Sequence, residues 1–205
     1  MYRLCYNINV KKLKDRSKEL KIQLNNIKQN QIIILDSEYD SRTLIQLAFL
    51  VLRRVDKDVF EVIESFNTYL NKDEPVSAFF RHYTNISDTF LCDNGVNPTV
   101  AKALVQEALF GVDTADTLLV GHDIKNDLLV LKENGFDFTL FEYQYCTYQA
   151  AKRLLQRNNN LGLKDIAANG CYYCFNEHNA YADVWATLAA FSWLNKIEKE
   201  EKLKC

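Results

Sequence analysis

The sequence predicts an α/β domain built on a mixed five-stranded sheet, an antiparallel three-strand meander plus two parallel strands, flanked by helices. Three observations predict it. Short connections join three apolar runs between Gln31 and Leu70, which favours antiparallel neighbours. Strand-like and helix-like patterns alternate after Asn97, which favours parallel strands in the same sheet. No repeat, low-complexity tract or Pro- or Gly-rich linker divides the chain, and 205 residues suit one well-cored domain.

Each element follows from local pattern. Residues 8 to 30 are polar and basic, with Lys11, Lys12, Lys14, Arg16, Lys18 and Lys21 against Asp15 and Glu19. Val10, Leu13, Leu20, Ile22 and Leu24 supply a partial helical stripe, so residues 1–30 are expected to be a basic amphipathic extension. Such a helix either packs loosely on the domain or touches a substrate backbone. The domain proper is expected over residues 31–205. Ile32-Ile33-Ile34-Leu35 is a buried strand ending in acidic residues, and Leu44 to Val51 is a second. Asp56-Lys57-Asp58 turns the chain into a third strand, from about Val59 to Leu70.

Asn97-Pro98 caps a helix that runs to about Phe110. Thr117 to Gly121 is the fourth strand, and Ile124, Leu128 and Leu131 form a helical stripe stopping at Gly135. A fifth strand is expected near Leu140, then a helix from about Thr147 to Arg157. A last long helix covers about Ala182 to Lys199.

Composition narrows the function classes. Hydrophobic residues at 48% and charged residues at 25% exclude wholesale disorder. No apolar run reaches the roughly 20 residues of a membrane span. The N-terminal residues lack the apolar core and cleavage site of a secretion signal. The six cysteines are scattered and read as free thiols of a reducing, cytoplasmic setting. A formal charge of −2 means that any contact with a polyanion must be local.

Three carboxylate signals stand out. Asp36 and Glu38 end the most apolar strand two residues apart, so they should project together, and the pair is costly unless a cation or proton lies between them. Asp127 borders the inward stripe of its helix. Asp183 falls in the first turn of the last helix, just after His178-Asn179-Ala180-Tyr181-Ala182. Each alone has a plain structural explanation: a polar strand end, a surface acid, a helix-dipole partner. Together they are the parts of metal-assisted phosphodiester hydrolysis. Two ions about 3.5–4 Å apart can stabilise attacking and leaving oxygens, magnesium and manganese prefer carboxylate oxygen, and an imidazole can accept the proton of water. Asp123, one turn before Asp127, competes with it for the same role.

These residues resemble the DEDD superfamily of 3′–5′ exonucleases, in its histidine-containing DnaQ-like branch. The family pattern is Asp-x-Glu on the first strand, an Asp on a middle helix, and His-x-Ala-x-x-Asp opening the last helix. Here these are Asp36-Ser37-Glu38, Asp127 within Gly121-His122-Asp123-Ile124-Lys125-Asn126-Asp127, and His178 through Asp183. The resemblance covers about residues 31 to 195. It implies a ribonuclease-H-like fold and hydrolysis of single-stranded DNA or RNA from the 3′ end to nucleoside 5′-monophosphates. It also implies two Mg²⁺ or Mn²⁺ ions held by Asp36, Glu38, Asp127 and Asp183, with His178 as general base. Ser37 and Tyr39 are then placed beside the terminal nucleotide. His122 takes the family's histidine in the strand-to-helix turn, with a structural role, and His82 resembles a family loop and carries no chemistry.

The chain also departs from the pattern. Tyr39-Asp40-Ser41 replaces the frequent Thr-Thr-Gly, so Tyr39 either stacks on the last base or packs beside the first strand. Asn126 replaces a common aromatic, and Cys146-Thr147 a common Asp-Thr. Cys171-Tyr172-Tyr173-Cys174 lacks the second ligand pair of a zinc site, and the two tyrosines could join a base-stacking wall. A homodimer or docking to a larger complex is open. A catalytically idle binding module on the same fold is the competing reading, although a binding module has no need of clustered, mutually repelling carboxylates.

Overall fold

The computed structural model describes residues 20–156, 161–169 and 178–203. Most of the basic extension and all of Cys171 to Cys174 lie outside the described residues.

The sheet is organised around its most apolar strand. Strand β1 spans Lys21–Gln23, β2 Gln31–Asp40, β3 Thr43–Asp56 and β4 Val59–Leu70. Helix α1 (Ala78–Thr84), helix α2 (Asp88–Asn94) and strand β5 (Gly95–Val96) lead to helix α3 (Pro98–Ala108). Strand β6 (Thr117–Gly121), helix α4 (Ile124–Glu133), strand β7 (Tyr143–Cys146) and helix α5 (Thr147–Leu155) follow. Helix α6 (Leu163–Asn169) and the long helix α7 (Ala180–Lys202) complete the described fold. The strand order is β1-β4-β3-β2-β6-β7, with β5 beside β4. β2 pairs antiparallel with β3 and parallel with β6, so the meander and the parallel half meet on one strand, as expected.

Side-chain alternation along β2 sorts the core into two layers. Ile32 and Ile34 pack with Leu50, Leu52 and Phe60 against Trp185, Leu188 and Phe191 of α7. Ile33 and Leu35 pack with Leu47, Phe49 and Val51 against Ala101 and Val105 of α3 and Leu128 and Leu131 of α4. A run of four branched apolar residues is what a strand covered on both faces requires.

Two expectations are corrected. The residues around Ile22 form a strand, not a helix: Lys21–Gln23 pairs antiparallel with β4. Leu20, Ile22 and Leu24 recur every second residue, which is strand spacing, and Leu24 is fully buried in the core. The fifth strand begins at Tyr143 instead of near Leu140; residues Phe138–Leu140 make a 3₁₀ turn capped by the Asp137 side chain. Phe138 and Phe141 are buried in the α4-side layer, so their apolarity serves a turn, not a strand. The sheet accordingly has seven strands among the described residues, where five were expected, the short edge pieces β1 and β5 making the difference.

Helices α1 and α2 were not expected. Ser77 and Ser87 cap them by accepting from the backbone N–H groups of Phe80 and Phe90. His82 therefore lies on an exposed helix, not on a loop. Among the described residues no helix is long and apolar enough to cross a membrane.

α1 is tied to the end of β2. The Asp40 carboxylate is buried and accepts from Lys72 Nζ at 2.9 Å and from the Ser77 N–H at 2.7 Å. Burial alone would raise its pKa, but the Ser77 and Lys72 hydrogen bonds outweigh it and hold the carboxyl below its usual value. Its stabilising contribution is therefore present at neutral pH and lost as pH falls through the lowered pKa. Replacing Asp40 by Ala leaves a nearly buried ammonium and an N–H without their acceptor. The expected cost is about 1–3 kcal/mol in urea unfolding at pH 7, shrinking as pH falls through the lowered Asp40 pKa.

Candidate active site

The carboxyl ends of β2, β6 and β7 point to one side of the sheet, where parallel α/β sheets open their crevices. There a cleft of about 460 Å³ is lined by Asp36, Ser37, Glu38 and Tyr39 from β2 and by His122, Asp123, Asn126 and Asp127 around the start of α4. Gly162, Leu163 and Lys164 from the start of α6, together with His178 and Asp183, close it.

The strand alternation that divides the core also decides how each acid enters. Asp36 and Glu38 continue the Ile32–Ile34 face and so meet α7. Carboxylate oxygens of Asp36, Glu38 and Asp183 lie within 4.8 Å of one another, a set that could hold a metal ion. Ser37 continues the Ile33–Leu35 face and meets α4, where its hydroxyl donates to Asp127 Oδ1 at 2.6 Å. Asp127 thus stands beside the three-carboxylate group, approaching from the opposite layer.

Asp183 is placed by its helix start. The Gln46 side chain, fully buried on β3, donates to Asn67 Oδ1 at 2.8 Å and accepts from the Ala180 N–H at 3.1 Å. Asn179 caps α7 by accepting from the Ala182 N–H. Ala180 is completely buried, so the helix start lies close on the sheet. His178 precedes it with a left-handed backbone (φ +61°) that few non-glycine residues adopt. Its ring meets Tyr83 of α1 edge-on, centroids 4.4 Å apart.

The turn from β6 into α4 is equally tight. A side chain at Gly121 would come within 2.9 Å of Ile124, so only glycine fits. His122 Nδ1 shares a hydrogen with Thr147 Oγ1 at 3.0 Å, and burial pushes its pKa down to about 4, which keeps the ring neutral. Asp123 lines the cleft, and its carboxylate accepts from Asn126. The turn therefore brings both Asp123 and Asp127 to the cleft, while Ser37 engages Asp127. Tyr39 is 37% exposed, and burial together with the neighbouring carboxylates raises its pKa.

Asp123, the expected competitor of Asp127, lines the cleft beside it, and so does His122, expected only to be structural; Asn126 and the Gly162–Lys164 segment line it without having been expected there. The last had a signal: Leu163, Ile166 and Ala167 recur at helical spacing, and α6 packs against α7 and turns its start to the cleft.

Crowding leaves an electrostatic record. Burial, then Asp127, Asp183 and Glu38, raise the Asp36 pKa well above its usual value. Burial with Asp183 and Asp127 raises Glu38 from 4.5 to about 8. Burial raises Asp127 to about 7, with the Ser37 hydrogen bonds opposing the rise. A metal-free folded chain thus holds protons that the unfolded chain has released. This contribution to stability is full below the ordinary carboxylate range and lost as pH rises to about 8. In chelator, the melting temperature should fall between pH 5 and pH 8.5, and Mn²⁺ should restore more of it at pH 8.5 than at pH 5. Glu38→Gln should raise the metal-free melting temperature at pH 8.5 by roughly 2–4 °C. Differential scanning fluorimetry across pH with and without Mn²⁺ checks all three.

Known proteins resemble this chain in sequence or in fold. A 101-residue stretch, 49% of the chain, is 31% identical to RNA exonuclease 1 homolog of Homo sapiens, of which it matches 8%. E. coli exonuclease I, solved with a dT13 oligonucleotide, superposes with a TM-score of 0.65 at 17% identity, covering 86% of this chain and 43% of that one. A 3′-exonuclease solved in a study of 3′-end recognition of a histone mRNA stem-loop superposes with a TM-score of 0.64 at 13% identity, covering 91% of this chain and 70% of that one. The chain therefore spans less than half the length of exonuclease I and a small part of the human protein. The fold is the ribonuclease-H-like arrangement of these neighbours. Residues 32–191 match the family model described as Exonuclease (RNase_T), and the chain belongs to that exonuclease family of the DEDD superfamily.

Proposed function

We propose that this chain is a metal-dependent 3′–5′ exonuclease acting on single-stranded ends of DNA or RNA and releasing nucleoside 5′-monophosphates. The observation that carries this reading is the convergence of Asp36, Glu38 and Asp183 within 4.8 Å, with Asp127 and His178 lining the same cleft.

The donor set fits hard divalent cations. It consists of carboxylate oxygens whose proton affinities are raised first by burial and then by one another's negative charge, a charge that two Mg²⁺ or Mn²⁺ ions would balance. When bound, such ions lower the pKa of water and stabilise charge on the attacking and leaving oxygens. Asp36, Glu38, Asp127 and Asp183 hold them in this reading. Ser37 steadies Asp127 through its 2.6 Å hydrogen bond.

His178 acts as general base. It stands on a half-exposed turn at the cleft, just before α7, in a left-handed backbone conformation. Residues held in sparsely populated backbone regions recur at functional sites. The Tyr83 ring packs against the imidazole, centroids 4.4 Å apart, and so limits the positions it can take. Tyr39 faces the cleft with its ring partly exposed, a position suited to the terminal base.

Polarity and substrate class draw on relatives as well as on the site. Exonuclease I was solved with oligodeoxynucleotide and the 3′-exonuclease in an RNA context, so strands of either sugar suit a site of this fold. A 5′-labelled 12-mer of DNA or of RNA, incubated with the protein and Mn²⁺, should give a ladder of products shortened from the 3′ end. A 3′-labelled strand should release its label first as a mononucleotide. His178→Ala should lower kcat by about 10²- to 10⁴-fold with binding retained. Asp36→Ala should abolish the ladder. Intact substrate on both sugars, or an undiminished ladder from Asp36→Ala, would sink the proposal.

A further inference from the structure

The exposed face of α1 carries two aromatic side chains that stand outside the core clusters of the described residues. Phe79 is 72% exposed and Tyr83 is 48% exposed, while Phe80 between them turns inward and is buried. Phe79 and Tyr83 are one helical turn apart, with ring centroids 5.0 Å from each other and planes inclined by 32°.

The pair is held firmly. Asp40 anchors the Ser77 N–H, the Ser77 hydroxyl caps the first turn, and Asn85 ends the helix in a left-handed conformation (φ +60°). It is also continuous with the candidate active site, because the Tyr83 ring packs against the His178 imidazole, centroids 4.4 Å apart and planes inclined by 66°. A surface running from Phe79 through Tyr83 therefore ends at the cleft that holds the carboxylates.

We propose that Phe79 and Tyr83 form a stacking platform for unpaired nucleobases of the strand whose 3′ end occupies the cleft. The proposal rests on the exonuclease reading and extends it to nucleotides upstream of the scissile bond. The chemistry favours bases as the occupant. Rigid aromatic faces beside a phosphodiester site bind successive bases of either sugar, since every base has a π-face. His82 is exposed on the same helix, three residues after Phe79 and so near the same face, where it can meet backbone phosphate. A chain of net charge −2 has no general positive field to hold a polyanion, so its contacts with a strand are local, and stacking on exposed rings is one local contact that needs no charge.

The test compares binding of a 5′-fluorescein 12-mer with that of the same strand made abasic at the three positions upstream of its terminal nucleotide. Both are measured by anisotropy, with Ca²⁺ replacing Mn²⁺ to prevent cleavage. Wild-type protein should prefer the intact strand. Phe79→Ala should weaken intact-strand binding on the order of tenfold and leave abasic-strand binding within about twofold. Phe79→Trp should recover most of the loss. Phe79 lies outside the core, so an unchanged melting temperature for Phe79→Ala separates this loss from misfolding.

Equal weakening of both strands, or no weakening of either, overturns the platform even if the wild type cuts normally. A wild type that neither binds nor shortens any strand overturns the platform and the exonuclease reading together. An aromatic pair serving a protein partner would also leave intact-strand binding unchanged in Phe79→Ala, and so counts against the proposal.

Discussion

Like charges held together within a few ångströms are the constraint on which the rest of this structure depends. Asp36, Glu38 and Asp183 crowd to within 4.8 Å with Asp127 beside them, and without a counter-charge their repulsion would drive apart any loosely held backbone. The chain meets this by placing each acid on an element it cannot easily move. Asp36 and Glu38 end a strand hydrogen-bonded on both sides, whose apolar run is completely buried. Asp183 is carried by a helix whose start is bonded to the buried amide of Gln46. Asp127 is engaged by the hydroxyl of Ser37.

Because successive side chains of β2 alternate, one tripeptide serves both layers of the domain. Asp36 and Glu38 turn to α7 and Ser37 turns to α4, so helices on opposite faces of the sheet are brought to one cleft. Packing and electrostatics are coupled here. The layers that supply the hydrophobic stabilisation also exclude water from the acids and raise their proton affinity. The end of β2 has a further duty, since Asp40 fastens the first turn of α1, the helix whose Tyr83 ring packs against His178.

How much was legible followed from how local the cause was. The β4 and β6 boundaries, the Asn97–Pro98 helix start and the turn at Asp56–Asp58 are encoded by neighbours in sequence, and pattern reading located them. β1 was misread because Ile22 and the flanking Leu20 and Leu24 were merged with a helical stripe upstream, although pairing with β4 makes Lys21–Gln23 a strand. The Phe138–Leu140 turn was misread because its apolar residues fill a core layer that no local window reveals. Helices α1 and α2 are one or two turns long, too short for periodicity to stand out, and their serine caps were the available signal.

The sequence by itself determined the mixed α/β architecture, the strand end that carries paired acids and the helix start that carries Asp183, because spacing of two and first-turn chemistry are local properties. Only the tertiary structure decided which acids touch, since Asp127 reaches the cleft from the other face of the sheet through Ser37. It alone brought α6 to the cleft and the ring of Tyr83 against His178. These contacts join residues about 90 positions apart, and no local preference specifies a partner at that distance; close packing of the two layers does.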